Sequence, residues 1–597
     1  MEGLDSSVVT QPFNLSVVTG NGTDQLRTLV APSWVSSPNV RGTFEILQSC
    51  ILTLVACIYT ALHLDVPKKT TWQHLLWQKF KWSVLTLFAP EVAVFVAAMQ
   101  LRYAWNLKLE LLKIRNQRRE TLDFEIDLRY AFFIVMGAVR FDVHDILSFN
   151  DLNASYREHF QETDLNRRSI RSAPASIIFL AKQGQWIKIR KQDIDDKSKA
   201  NTIQKVLVLI QVLWMVTQCM TRHISDLPIS LLEIHTIVHV VCAVLLYTCW
   251  FKKPLDVQEA IVIPTEKFRL EIATMLQRHF YSGMSYKMAV FPPRRNGEQP
   301  PTDADGSQMR WISHQPGATM REGDILPSGL ALCKNKVEKL QDSSMYELDP
   351  QSWHEDVSFV LEPQFLNRWS VIFNAYPFEG RATDEFRIVI RRGDGQHDEP
   401  RDGGVLYLAM VKELELREWG PDGERLFWET ESIFHLHWGE LSEMGKKKDL
   451  KKSIRTSDLT FWSWEFIVLA MLLAGLYGGV HLSMGQACPS YDEGIIWKVS
   501  CFILIFWLPV VLPLHAACLP IYMAGHDWRS EDGMVRAMKV ITFYVMFLPL
   551  LLFLLTSLSL AYISARVFII VESFLCLRRS PVGVFVSPEW LELFPHF

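Results

Sequence analysis

The chain has 597 residues and a formal net charge of −4 at pH 7. Hydrophobic residues make up 49% of it and charged residues 21%, with 20 tryptophans and 35 phenylalanines. The charge gives no sign of a nucleic-acid partner, because such partners require a basic surface. The apolar residues are concentrated in blocks, which indicates a membrane protein rather than several soluble domains.

No motif indicates a cofactor or a metal. Most of the ten cysteines lie within apolar runs, where a thiol behaves as a small hydrophobe. Neither a CxxC pair nor a zinc-type spacing is present, and we find no nucleophile elbow, Walker loop or dinucleotide-binding glycine fingerprint. We therefore expect no disulfide framework, no metal site and no cofactor.

The first 43 residues are polar and lack the basic and apolar regions of a signal peptide. They contain two glycosylation sequons, at Asn14 and Asn21. Glycosylation occurs only outside the cytoplasm, so the two asparagines are candidate glycosylation sites and the N-terminus is predicted to lie outside.

Phe44–Leu64 is the first predicted span, because about 20 apolar residues cross a hydrocarbon core of about 30 Å. The lysines that follow it mark the cytoplasmic side. The next apolar stretch, Ser83–Trp105, has basic residues on both flanks and is interrupted at Pro90-Glu91. It is either a re-entrant or interfacial segment with both ends in the cytoplasm, which we favour, or a true span.

Two apolar runs, Val206–Met220 and Ile229–Trp250, follow a basic loop that contains the short apolar segment Leu128–Phe141. That segment is too short to span and predicts a buried or interfacial helix. Lysines precede the first of the two runs and follow the second, and a polar turn separates them. This pattern predicts a transmembrane hairpin with both ends in the cytoplasm.

The segment after the hairpin is polar and predicts a soluble cytoplasmic insert. Gln258–Arg278 is interpreted as a helix, and 291–329, rich in Pro, Gly, Asp and Gln, as a flexible segment. The later runs WSVIF, FRIVIRR and VLYLAMV favour strands, and Glu413–Thr430 favours a β-hairpin with a Pro-Asp-Gly turn.

Three further spans are predicted at Phe461–Leu482, Ile495–Met523 and Val540–Ile563. The loop between the first two contains no lysine or arginine, as expected of an outer loop. Six crossings and one re-entrant segment satisfy most of the charge pattern and place both termini outside. Arg566, with the tail arginines that follow it, fits this arrangement poorly.

The chain is thus predicted to be a mainly α, polytopic α-helical membrane protein with six to seven transmembrane helices and a soluble α+β or β-rich cytoplasmic insert. The predicted segments are an outer N-terminal segment (1–43), a span with a re-entrant or second span (44–105), a cytoplasmic basic loop with an interfacial helix (106–203), the hairpin (204–250), the insert (251–459), three transmembrane helices (460–563), and an interfacial helix with the tail (564–597).

Four polar residues inside apolar runs are the candidate functional residues: Glu91, His235, His239 and His515. An ionisable group within a membrane is costly, so its presence points to function. Glu91 follows a proline at a helix break, where freed carbonyls can contact an ion. His515 lies between Pro513 and Pro520 in a predicted span. Helices broken in this way often line cavities in transporters.

His235 and His239 are four positions apart and therefore share a helix face. Imidazoles at this spacing can bind a metal, but a metal site needs further ligands. An interhelical polar contact is the preferred interpretation. Glu233, close by, is interpreted as a carboxylate solvated at a helix end.

A set of short stretches in both halves of the chain carries a resemblance. They are Arg41-Gly-Thr43, Cys50 to Cys57, His63 to Pro67, Ala89-Pro-Glu91, Ile194 to Lys199, Leu227 to Glu233, Lys253 to Val257, Tyr477 to His481, Val571 to Arg578, and Trp590 with Pro595-His596. In this order they resemble uncharacterised multi-pass integral membrane proteins of filamentous fungi. The resemblance implies a membrane location and an outer N-terminus, because many relatives carry a signal peptide, but no activity.

The leading hypothesis is a fungal integral membrane protein that acts as a transporter, a channel-like protein or a scaffolding component. We expect it in the plasma membrane or the endoplasmic reticulum and secretory pathway, within the lipid bilayer, with a protein partner on the insert and no nucleic acid. The less favoured alternative is a membrane-embedded enzyme for a lipid-like or terpenoid substrate, accessory to secondary metabolism. An enzyme requires the four candidates to converge in one cavity, whereas a transporter requires access from both sides.

Overall fold

The computed structural model describes residues 23–146, 161–273, 288–332, 358–375, 406–407, 464–527 and 548–586, with short gaps inside several of these ranges. The fold is mostly helical. Among the described residues, 4 helices are long and apolar enough to cross a membrane, and a bent helix pair raises the number to 5 if it counts as one span. The described cysteines are free thiols.

The helices are α1 (Thr23–Thr28), α2 (Thr43–Ala61), α3 (Trp72–Phe88), α4 (Pro90–Arg118), α5 (Leu128–Val135), α6 (Pro174–Lys182), α7 (Lys191–Lys197), α8 (Thr202–Ile224), α9 (Leu231–Cys249), α10 (Pro363–Ala375), α11 (Trp464–Ser483), α12 (Tyr491–Asp527) and α13 (Leu548–Leu575). The strands are β1 (Val139–Asp142), β2 (Gln161–Thr163), β3 (Arg167–Arg171), β4 (Ile261–Ile263), β5 (Met288–Val290), β6 (Arg310–Trp311), β7 (Thr319–Arg321), β8 (Asp324–Ile325), β9 (Leu330–Leu332), β10 (Ser358–Val360) and β11 (Leu406–Tyr407).

Helix α9 lies at the centre of the bundle. It packs against α2 and α4, and it also contacts α11 and α13. Most of its side chains are buried, as expected of an apolar helix that is surrounded by other helices. The sequence predicted two helices at 204–250 and the structure has two, but α8 packs mainly on α2 rather than along α9.

The outer surface of the bundle is apolar. Large hydrophobic side chains are exposed along α2 (Leu52, Val55), α12 (Phe506) and α13 (Leu550, Phe553). Exposed apolar surface on several neighbouring helices is the pattern expected of a lipid-facing belt. The coarse prediction of an α-helical membrane protein is therefore supported.

Helices α3 and α4 are separated by one residue and meet at an angle of 115°. Pro90 is the first residue of α4, a position where proline costs little because its missing N–H would have no partner inside the helix. The interruption predicted at Pro90-Glu91 is thereby confirmed. The angle is compatible with either a broken span or a re-entrant loop.

Both arms of this break contact the end of the bundle where α9 finishes. Lys79 on α3 pairs with Asp256 at 3.2 Å. Gln100 on α4 donates a hydrogen bond to Asp65 at 3.1 Å, and Asp65 pairs with Lys253 at 2.8 Å. We call this end of the bundle the Lys253 end and the opposite one, where α9 begins, the Glu233 end.

At the Glu233 end, the described N-terminal and C-terminal segments lie together. The Val30 and Pro581 backbones form an isolated β-bridge, and the backbone N–H of Arg41 donates to the carbonyl of Phe585 at 3.0 Å. Arg222, at the end of α8, donates to the Gly583 carbonyl at 2.7 Å. These contacts join both segments to the turn between α8 and α9.

The apolar segment 128–141 is buried, as predicted, but only its first part is helical. The Asp127 side chain caps α5 by accepting from the Tyr130 N–H at 2.8 Å. Gly137, with φ +77°, then ends the helical conformation, and the chain enters β1. A four-stranded sheet with order β2-β3-β1-β4 follows, antiparallel except for the β1–β4 pair.

The insert differs from the prediction in three places. The predicted helix Gln258–Arg278 begins instead as β4, because residues 261–263 complete the edge of the sheet beside β1. Helical structure starts only at Thr265 and continues to residue 273, where the described range ends. The predicted flexible segment 291–329 contains strands β6, β7 and β8. These belong to a five-stranded sheet of order β11-β5-β9-β8-β6 and to the β7–β10 pair.

The run WSVIF, predicted as a strand, lies in helix α10. Phe365 and Trp369 are four positions apart and both buried, and buried Arg368 donates to the Ile146 carbonyl at 3.2 Å. Tertiary packing of one helix face thus overrides the β propensity of the run. Of VLYLAMV only β11 is described, while FRIVIRR and Glu413–Thr430 lie outside the described residues.

Helix α13 also departs from the prediction. The sequence predicts a span that ends at Ile563 and an interfacial helix from 564, but α13 continues without a break to Leu575. That predicted boundary precedes Arg566, because a charged residue after an apolar run usually lies at the membrane interface. The Arg566 side chain is instead buried, since it has a partner inside the bundle.

Candidate functional site

A buried ion pair lies at the break between α3 and α4. The Arg566 guanidinium donates a hydrogen bond to the Glu91 carboxylate. Their side chains are only 4% and 8% exposed. The Tyr562 hydroxyl donates to Glu91 at 3.3 Å and accepts from the Arg566 Nε at 3.1 Å. Glu91 and Arg566 thus share a hydroxyl as well as a direct contact.

The local sequence explains why these groups meet. Glu91 occupies the first turn of α4, where free N–H groups and the helix dipole favour a negative charge. Tyr562 and Arg566 are four positions apart on α13 and share a face. The Arg566 guanidinium also lies 4.1 Å from the ring centre of Tyr477, a cation–π contact that partly replaces lost hydration.

The pair is incompletely satisfied. Glu91 Oε2 and Arg566 Nη1 have no hydrogen-bond partner among the described residues. Burial of two charges costs several kcal/mol per ion, and mutual attraction offsets this cost only when the remaining polar atoms are also bonded. An ion pair whose remaining polar atoms have no hydrogen-bond partner is therefore not explained by a contribution to folding stability alone.

Three histidines form a second buried group. His235 Nδ1 lies 3.2 Å from His481 Nε2, and the His235 and His239 ring centres are 4.7 Å apart. All three are almost fully buried. The Trp497 indole donates to the His481 carbonyl at 2.8 Å and so ties α11 to α12 beside the histidines.

The hydrogen bonds of His481 indicate the tautomers of the first two histidines. His481 Nδ1 lies 2.8 Å from the Tyr477 carbonyl. A carbonyl only accepts, so this nitrogen carries a hydrogen and Nε2 of the neutral ring is the acceptor. His235 Nδ1 is consequently the donor to His481, which leaves a lone pair on His235 Nε2.

Tyr477 connects the two groups. Its ring centre lies 4.5 Å from that of His481 and 4.1 Å from the Arg566 guanidinium. Four helices thus contribute to one buried cluster, which we call the polar core. Its members are Glu91, His235, His239, Tyr477, His481, Tyr562 and Arg566.

A separate ion pair closes the Glu233 end. Arg41 Nη1 lies 2.5 Å from Glu233 Oε1, and the Glu233 side chain is 0% exposed. Glu233 also accepts from the Ser230 N–H at 2.9 Å, while the Ser230 hydroxyl accepts from the Glu233 N–H at 3.2 Å. This is a capping box. The interpretation of Glu233 as a solvated carboxylate is therefore wrong, because Arg41 supplies its counter-charge.

A corresponding buried cluster lies at the Lys253 end. The Lys253 ammonium contacts Asp65 and also donates to Gln100 Oε1, each at 2.8 Å. Burial lowers the pKa of Lys253, and the Asp65 carboxylate opposes that shift. The Trp250 indole donates to the same Gln100 oxygen at 3.0 Å. The polar core therefore lies between two further buried ion pairs.

A model of a family of unknown function, DUF8562, matches residues 10–313 and 466–597, which is more than half of the chain. The chain belongs to this family. The matched ranges include every residue of the polar core and skip 314–465, most of which belongs to the predicted insert. No curated protein and no solved structure matches the chain.

The structure brings three of the four sequence candidates into the polar core: Glu91, His235 and His239. His515 lies in α12, but its side chain is outside the part of the chain that the structure describes. The glycosylation candidates Asn14 and Asn21 are likewise outside the described residues. No group of three or more His, Cys, Asp or Glu among the described residues could hold a metal ion.

Sequence reasoning missed Arg566, His481 and Tyr477. A signal for Arg566 exists, since it is a charge inside a continuous apolar run and fits the predicted topology poorly. His481 lies in a stretch that carries the family resemblance, but a lone histidine near the end of a predicted span does not reveal a partner. Tyr477 precedes Gly478, which packs closely against α12, so the sequence indicates helix packing at this position and gives no sign of the polar contacts of the tyrosine ring.

Proposed function

We propose that the protein is a multi-pass transport protein, either channel-like or a carrier, whose polar core lines or gates the path of the solute. The observation that most strongly supports this proposal is the Glu91–Arg566 ion pair at the α3–α4 break. Broken helices and ionisable residues near the middle of a bundle are typical of solute and ion pathways. Free polar atoms on both members of the pair favour a site that exchanges partners.

The topology we propose has six crossings, α2, α8, α9, α11, α12 and α13, with α3 and α4 as a re-entrant segment. Two observations support it: Lys79 and Gln100, on opposite arms of the break, both contact the Lys253 end, and the N-terminal and C-terminal segments meet at the Glu233 end. Excess lysine assigns the Lys253 end to the cytoplasm.

Several finer features belong to the same proposal. The Glu233 end would lie outside, with Asn14 and Asn21 glycosylated and the protein in the plasma membrane or the secretory pathway of a fungus. The predicted α+β or β-rich insert would lie in the cytoplasm and bind a protein partner there. The short strands between 288 and 332 support an ordered module of this kind.

The alternative is a membrane-embedded enzyme acting on a lipid-like or terpenoid substrate. It is favoured by the convergence of Glu91, His235 and His239 in one cluster. Against it, Arg566 pairs with the Glu91 carboxylate and stabilises its ionised form, and a carboxylate stabilised in this way is a weak general base and a poor general acid. We therefore rank transport first.

Cysteine accessibility beside the polar core distinguishes these functions. Ala474 is 6% exposed and lies three and seven positions before Tyr477 and His481, on the same face of α11. Ala474→Cys, in a background without native cysteines, would be treated with a charged thiol reagent that does not cross membranes. Right-side-out and inside-out vesicles report the two sides. Leu472→Cys is the matched control, because Leu472 is 59% exposed on the lipid side of the same helix.

A transport protein predicts that Ala474→Cys is labelled from both sides and Leu472→Cys from neither. Labelling from one side only would favour the enzyme. A scaffold, in which the polar core serves packing alone, predicts no labelling at either position, and that result would contradict the proposal.

A further inference from the structure

We propose that His235 and His481 form a binding site for a single proton in the interior of the bundle, and that its occupancy controls the Glu91–Arg566 ion pair. The inference deepens the transport function proposed above and rests on it, since it makes the proton a coupling ion. The hydrogen bonds of the two imidazoles leave one acceptor nitrogen free to take up a proton.

The empty acceptor is His235 Nε2. His481 donates through Nδ1 to the Tyr477 carbonyl and accepts from His235 Nδ1. His235 Nε2 has no hydrogen-bond partner among the described residues. Of the two neutral rings, this nitrogen therefore holds the one lone pair that is not already engaged.

Proton uptake moves charge by a balanced step. A proton binds the lone pair of His235 Nε2 and makes the ring an imidazolium. The hydrogen on His235 Nδ1 then transfers along the 3.2 Å contact to His481 Nε2. One N–H bond forms at each Nε2 and one breaks at His235 Nδ1, and no electrons are gained or lost. The positive charge thereby moves from α9 to α11.

Some groups around the two histidines stabilise this positive charge and others repel it. The Tyr477 ring and carbonyl contact the His481 ring and stabilise an imidazolium through cation–π and hydrogen-bond contacts. The same ring contacts Arg566, so a second positive charge lies on that side. Among the described residues, His239 on α9 interacts with the pair, and the titratable or charged groups around the adjoining Tyr477 are Cys242 on α9, Cys501 on α12, and Tyr562 and Arg566 on α13, with Glu91 of α4 beside the last two.

Control of the ion pair follows from electrostatics in a medium of low permittivity. A charge on His481 raises the energy of Arg566 in its present position. Glu91 belongs to α4 and Arg566 to α13, so weakening their contact loosens the re-entrant segment from the bundle. Protonation of the histidines would thus favour opening at the α3–α4 break.

The test is a pH jump on proteoliposomes adsorbed to a solid-supported membrane. Proton binding inside the bilayer displaces charge and gives a transient current without any solute. We expect a wild-type transient that falls at least tenfold in His235→Gln and in His481→Gln. Glutamine keeps polar contacts but does not titrate. His223→Gln is the control, because His223 is exposed, and it should leave the transient unchanged.

Glu91→Gln distinguishes proton binding by the histidines from proton binding by Glu91. Because coupling between the ion pair and the histidines is reciprocal, this variant should shift the pH at which the transient appears without abolishing it at every pH. A wild type without a transient would overturn the proposal, as would a transient that persists in the His235→Gln/His481→Gln double variant or disappears at every pH in Glu91→Gln.

Misfolding of the histidine variants is tested by thermal unfolding. If they do not fold, ¹⁵N NMR of histidine-labelled wild type decides: we expect hydrogen on Nδ1 of both rings, and hydrogen on His481 Nε2 in the neutral state would overturn the proposal. Labelling of Ala474→Cys from both sides, with an unchanged transient in the histidine variants, would refute the proton site and leave the transport function standing.

Discussion

Replacing Arg566 with methionine is expected to lower the free energy of unfolding by about 3–5 kcal/mol, because the Glu91 carboxylate then stays buried without its counter-charge. The double variant Glu91→Leu/Arg566→Met removes both charges and should recover most of that loss. Denaturant unfolding in detergent micelles measures the difference.

The matched control is Arg578→Met. Arg578 pairs with Glu493 at the Glu233 end, and the two side chains are 46% and 23% exposed. Because solvent reaches this pair and screens it, its loss should cost much less than that of a buried pair, about 1 kcal/mol. If Arg566→Met costs no more than Arg578→Met, the buried ion pair is absent from the folded protein.

Arg41→Met is expected to have an effect of similar size, about 3–5 kcal/mol, because Glu233 is fully buried and also caps α9. The loss should appear as detachment of the segment before α2, since Arg41 links that segment to the central helix. Protease sensitivity near residue 35 together with unfolding in micelles would report both effects.

Arg27→Met provides the comparison for Arg41. Arg27 pairs with Asp226 at the same end of the bundle, but the two side chains are 53% and 77% exposed. Its loss should change stability by about 0–1 kcal/mol. Equal stability of the two arginine variants would contradict the assignment of Arg41–Glu233 as a buried pair.

Features that depend on neighbouring residues could be predicted from the sequence. The break at Pro90-Glu91 follows from proline chemistry and from an acidic residue inside an apolar run. The cap of α9 was not predicted, although Ser230 and Glu233, three positions apart, have the spacing of a capping box. The shared face of His235 and His239 follows from helical periodicity alone.

Features that depend on distant partners could not be predicted in this way. Glu91 and Arg566 are 475 positions apart, and His235 and His481 are 246 apart. The pattern of charges along the sequence shows each such residue without its partner, and the residue is therefore predicted to lie at the membrane interface. For this reason the pattern predicts a membrane boundary beside Arg566, although the arginine is buried beside its partner.

Two local predictions within the insert, the WSVIF strand and the flexible segment 291–329, are wrong for a related reason. The WSVIF run has β-branched and aromatic residues that favour strands, but Trp369 packs on the buried face of α10. Strands β6 to β8 are two or three residues long, too short for a period-two pattern to be visible among prolines and glycines. Their pairing depends on β9 and β10, which lie further along the chain.

If the Glu91–Arg566 pair gates a solute path through the bundle, breaking the pair should open that path. The labelling rate of Ala474→Cys, measured from both sides of the membrane with and without Glu91→Gln, tests this. Neutralising the carboxylate removes the ionic contact between α4 and α13, so we predict a rise of at least tenfold from one or both sides. An unchanged rate, with the protein folded and Leu472→Cys unlabelled, would contradict gating by this pair.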